Sequence, residues 1–119
     1  MQECIIIYSA AFIFRPGTYD EQFHALNALI EAAARANPGF IESSTWFSTD
    51  GSRVNATYYW TDLESLKAFS DHPAHLEAKR LYANWYEGYQ VVISKVERIY
   101  GDGHIESAIG RCSSLSRDA

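Results

Sequence analysis

The 119-residue chain predicts an α+β domain with an antiparallel sheet and the element order β-α-β-β-α-β. Three observations carry that expectation. Tyr58-Tyr59-Trp60, preceded by Val54 and Thr57, is strand chemistry, because flat and branched side chains pack well on a pleated surface. Directly after it, Leu63, Leu66 and Phe69 recur at helical spacing. Asp50-Gly51, between two strand-like runs, is a strong short hairpin signal.

The first strand is expected over residues 4–14, with apolar residues on both alternations: Ile5, Ile7, Ala11 and Ile13 on one side, Ile6, Tyr8, Ala10, Phe12 and Phe14 on the other. A sheet with one wet face would alternate more strictly. Pro16-Gly17 breaks this strand, and Thr18 with Glu21 reads as a capping box. Phe23, Leu26, Ile30 and Ala33 form the inward stripe of a first helix, which Asn37-Pro38-Gly39 ends. Residues 40–48 and 53–60 are the hairpin strands. Thr61 with Glu64 reads as a second capping box, opening a helix over about 62–71. Pro73 forces a fresh helical start, since proline is tolerated in a first turn but not inside one. Leu76, Lys79, Tyr82, Ala83 and Tyr86 continue the amphipathic pattern to Gly88, residues 89–100 are the last strand, and 102–119 read as a flexible tail behind a domain of residues 1–101.

This order is the ferredoxin-like split arrangement. Its helices cover one face of a four-stranded sheet. The apolar second face calls for another cover, and a second copy packing sheet on sheet would bury it at roughly 25 cal/mol per Å². A homodimer is therefore expected.

Composition narrows the function classes. With 47% apolar residues and a formal charge of −5, the ten Lys and Arg scattered rather than striped, the chain has no footprint for phosphate backbones, and no nucleic-acid partner is expected. The apolar run near the start follows Gln2 and Glu3 rather than a positive region and is too short to span a bilayer, so it reads as a strand, with no membrane partner. Cys4 and Cys112 form no disulfide framework or CxxC site, which fits a reducing, cytoplasmic compartment. There is no GxSxG elbow, GxGxxG or P-loop, and no metal-ligand set at diagnostic spacing.

The run Tyr59-Trp60-Thr61-Asp62-Leu63-Glu64-Ser65-Leu66, then Phe69, His72-Pro73-Ala74-His75 and Lys79, and Trp85-Tyr86-Glu87-Gly88-Tyr89 leading into Val96-Glu97-Arg98-Ile99-Tyr100-Gly101, resembles the antibiotic biosynthesis monooxygenase (ABM) superfamily of dimeric α+β barrels. The similarity spans residues 4–101. It implies an oxygenase that uses O₂ on a small aromatic or enol-like substrate without metal or organic cofactor. The superfamily also holds haem degraders, whose pattern requires an Asn late in the first strand and a Trp and a His after the strand-three aromatic. Counted from Trp60, those positions hold Ser9 or Ala10, Phe69 and Lys79.

The candidate catalytic residues are His75 as general base, Trp60 for substrate contact and Asn55 as hydrogen-bond donor; Tyr58, Trp46, Asn27, Tyr82 and His72 are candidates for substrate binding. Each has a plainer reading. His72 also reads as an end cap before Pro73, His75 as a solvated first-turn residue, and the rings as core packing. Glu42, Ser44 and Ser48 on an apolar sheet are informative too, because a buried polar group is costly unless paired or facing a pocket. A non-catalytic small-molecule-binding dimer is the competing class.

Overall fold

The computed structural model describes residues 6–112, so the start of the expected first strand, at Cys4 and Ile5, lies outside the described residues. In chain order the elements are β1 (Tyr8–Pro16), α1 (Glu21–Ala36), β2 (Phe40–Phe47), β3 (Val54–Trp60), α2 (Leu63–Ser70), α3 (Pro73–Leu81) and β4 (Tyr86–Lys95). All pairings are antiparallel and the strand order is β2-β3-β1-β4, the ferredoxin-like sheet.

Register fixes which residues face the helices. Tyr8, Ala10, Phe12 and Phe14 lie opposite Trp60, Tyr58, Ala56 and Val54, and on the other side opposite Lys95, Ile93, Val91 and Tyr89. Trp60, fully buried, packs with Ala34 of α1 and with Leu66 and Phe69 of α2, so this alternation is the helix side. The opposite face carries Ser9, Ala11 and Ile13, flanked by Tyr59, Thr57 and Asn55 and by Ser94, Val92 and Gln90. A register shift between Phe40 and Glu42 turns Phe40 to the helix side, while Glu42, Ser44 and Trp46 take the open face. Strict alternation along β2 would put Phe40 on the face of Trp46.

Both helix starts differ from the expected capping boxes. The caps are Asp20, whose carboxylate accepts from Phe23 N–H, and Asp62, which accepts from Ser65 N–H. An ionised carboxylate makes a charge-assisted bond and also meets the positive end of the helix, so it outcompetes the threonine hydroxyl beside it. Thr61 donates instead to Asp62. The turn after α1 is held by Asn37, whose Nδ2 donates to the Ser65 carbonyl while its Oδ1 accepts from Gly39 N–H. Here glycine is required by space: a Cβ on Gly39 would sit 2.0 Å from Ser65 Oγ.

The end of the helical region also moves. α3 ends at Leu81, a 3-10 turn spans Tyr82–Asn84, and β4 starts at Tyr86, ahead of Gly88. The buried Trp85 anchors the switch, its carbonyl accepting from Gly17 N–H at 2.8 Å. β4 stops at Lys95 because its one neighbour, β1, begins opposite it at Tyr8. The register irregularity at Arg15/Pro16 sits where proline has no N–H to give.

Candidate functional site

β3 builds the site's wall. Its helix-side residues Tyr58 and Trp60 converge with Phe69 of α2 and His75 of α3: Trp60 and Phe69 ring centroids are 5.0 Å apart, Tyr58 and Phe69 5.5 Å, and the His75 imidazole meets Phe69 edge-on at 4.9 Å. Pro73 opens α3, and His75 in its first turn is half-buried against Phe69. Two polar atoms in this aromatic cluster, Trp60 Nε1 and His75 Nδ1, are buried and have no hydrogen-bond partner among the described residues. Such atoms cost about 1–3 kcal/mol each, which makes them conspicuous.

Electrostatics separate the titratable groups here. Burial, and then the nearby charge of Lys79, draw the His75 pKa down to about 4, so the imidazole is neutral at pH 7. Tyr58 moves the other way. Burial raises its pKa, and the hydrogen bond its hydroxyl donates to Glu31 of α1 raises it further. Glu31 in turn lies 3.7 Å from Arg35. Tyr58 is therefore a fixed, protonated phenol, and His75 is the neutral base of the cluster, one that its surroundings make less basic than a free imidazole.

The remaining candidates are dispersed. His72 Nδ1 accepts from Ala74 N–H at 3.1 Å, so it serves as the N-cap of α3. Tyr82 stacks edge-on against Tyr89 at 5.0 Å, and Tyr89 continues into Phe12, which meets Tyr86. These rings line the helix side of the β1–β4 half of the sheet. Asn27 is exposed on α1. Asn55 and Trp46 lie opposite each other on the open face; Asn55 accepts from the Thr57 hydroxyl, and Trp46 is 71% exposed. The structure thus brings together His75, Trp60 and Tyr58, and separates them from Trp46, Asn55 and Asn27. At the haem-degrader positions, Phe69 is core and Lys79 donates to Ser70 Oγ.

Glu31 escaped the sequence reading. It flanks the apolar stripe of α1 and sits 27 residues from Tyr58, and no local pattern links a helical glutamate to a strand tyrosine across the core. Glu42 was flagged as a polar residue in an apolar strand, and its partners are backbone amides of the C-terminal segment, Ala108 N–H at 2.8 Å and Ile109 N–H at 3.1 Å. Among the described residues no helix is long and apolar enough to cross a membrane, and no group of three or more His, Cys, Asp or Glu side chains is placed to hold a metal ion.

A family model described as monooxygenase af470-like matches residues 10–107. No curated protein matches the chain. Among solved structures, SnoaB from Streptomyces nogalater, a cofactor-independent oxygenase, superposes with a TM-score of 0.64 at 14% identity, covering 78% of this chain and 95% of that one. A candidate antibiotic biosynthesis monooxygenase from Nitrosomonas europaea gives 0.61 at 17% identity over 82% and 94% of the two chains. A dabb family protein with a ferredoxin-like fold from Mesorhizobium loti gives 0.55 at 10% identity, over 75% and 95%. At these identities the likeness is one of fold.

Proposed function

The chain belongs to the monooxygenase af470-like family, and from that membership we propose that it oxygenates a small aromatic or enol-like substrate between the sheet and its helices, without metal or organic cofactor. The observation that carries the reading is the half-buried, neutral His75, its Nδ1 buried and without a protein partner among the described residues beside Phe69. An imidazole whose Nδ1 has no protein partner among the described residues can take a proton from a phenolic or enolic hydroxyl. The oxyanion left behind then stabilises the imidazolium, raising the basicity that burial had lowered. The electron-rich anion reduces O₂ itself and combines with it. The proton held on His75 passes to the resulting peroxide anion and gives a hydroperoxide. Loss of the remaining hydrogen of the oxygen-bearing carbon as a proton then breaks the O–O bond, the departing hydroxide leaves with that proton as water, and a carbonyl remains on the product. SnoaB, of the same fold, is a cofactor-independent oxygenase, which supports this chemistry.

A second copy of the chain on the open face belongs to this reading. Ala11, Ile13, Thr57, Tyr59 and Val92 make that face partly apolar, and Trp46 stands on it largely exposed.

The test is oxygen uptake across a panel of quinols and polyketide-like phenols. Uptake is expected to persist with chelators present, and His75→Ala is expected to lower it about 100-fold. Loss of uptake on chelation sinks the cofactor-free reading. Haem titration is expected to give no stoichiometric axial-histidine spectrum; tight haem binding that disappears in His75→Ala would replace this function with haem chemistry.

A further inference from the structure

The chain leaves β4 at Lys95, on one edge of the sheet, yet residues 108 and 109 reach Glu42 on β2, at the opposite edge. Residues 96–107 must therefore pass β1 and β3. Register says where: Glu42, Tyr59, Ser9 and Ser94 form one row across the open face, at the end of the sheet where Val96 N–H bonds the Ile7 carbonyl. By alternation Ile7 shares the face of Ser9. It is 4% exposed although it stands apart from the helix-side cluster of Ala34, Trp60, Leu66 and Phe69. At the other end of the same face Trp46 is 71% exposed, and in the middle row Val92 is 43% exposed. Ile7 is thus buried beside the segment that follows β4, whereas Trp46 stands in solvent.

We propose that residues 96–112 form a strap, caught by Glu42, that closes the Ile7–Tyr59 end of the open face and confines a second copy of this chain to the Trp46 end. The catch is well made. The carboxylate takes two backbone amides at the start of the 3-10 turn Ile109–Cys112, and the next amide, Gly110 N–H, donates to Ser107 Oγ, so successive donors are all satisfied. Charge-assisted bonds of this kind are stronger than neutral ones, and they hold the segment at one register position on the sheet. Strap and second copy compete for one surface, so loosening the strap enlarges the area open to self-association. The proposal rests on the dimer reading given above.

The experiment uses the full-length chain and two variants: Glu42→Gln, which removes the charge and one acceptor, and Ala108→Pro, which removes one donor and leaves the sheet untouched. Hydrogen exchange at Ile109 is expected to quicken at least tenfold in both, and the dimer dissociation constant from light scattering to fall about tenfold. Unchanged exchange overturns Glu42 as the catch. Faster exchange with unchanged or weaker association overturns the shielding. If all three chains remain single at every concentration, the dimer reading fails on the wild type alone and the shielding falls with it, while the exchange result still decides the latch.

Discussion

Burial strips water from the His75 imidazole, and the ammonium of Lys79 opposes a second positive charge, so its pKa falls from 6.5 to about 4. The sign of the consequence follows from proton counts. Between those two values the unfolded chain binds a proton that the folded chain refuses, so stability drops as pH falls from about 6.5 to about 4 and is indifferent to this group above that window. The cost reaches at most about 3 kcal/mol, and less as water reaches the ring. Urea melts at pH 7 and pH 4.5 should show a smaller acid loss in His75→Asn than in the wild type; equal losses would place the imidazole in water. Catalysis should report the same value: the free-enzyme kcat/KM is expected to show no fall through pH 6.5, where an ordinary histidine would protonate. His75 was legible in the sequence as an ionisable residue near a helix start. Its neutrality was not, because desolvation depends on Phe69 and the layer packed over it.

At the scale of elements, the β2–β3 hairpin and the break before α3 followed from turn and proline chemistry, both local properties of a few residues. Helix caps were off by one or two positions because Thr18 and Thr61 stand beside Asp20 and Asp62, and the competition was settled by charge. Gly39 illustrates a constraint of a different kind. It sits where the α1–β2 turn meets the start of α2, with its carbonyl accepting from Thr61 N–H at 2.8 Å and Ser65 filling the space a methyl would need. Gly39→Ala should therefore destabilise the fold by about 1–3 kcal/mol, the usual cost of overpacking. Thermal melts would show it, and an unchanged midpoint would mean that the turn and α2 slide apart freely.

For the whole molecule, the decisive surface is the face that the helices leave open. Ala11 lies near its middle, between Thr57 on β3 and Val92 on β4. A charge there cannot reach a partner if a second sheet packs over it, and an unpaired buried charge costs several kcal/mol. Ala11→Glu is expected to convert a dimeric wild type to single chains by light scattering, with a lowered melting temperature. A variant that keeps both mass and midpoint would show that this face stays wet.

The sequence alone determined the element order, the positions of the main turns and the helix-side stripe, because periodicity, proline and glycine act over a few residues. It also determined the resemblance to the ABM superfamily, through the run from Tyr59 to Lys79. Tertiary structure decided which rings share a wall. The irregularity between Phe40 and Glu42 sends Phe40 to Trp60 and Trp46 to the far side, and packing of α1 over β3 joins Tyr58 to Glu31. It also decided that Glu42 meets residues 66 and 67 positions away. Contacts between residues so far apart depend on how layers and strands are superposed, and that arrangement is a property of the folded chain as a whole.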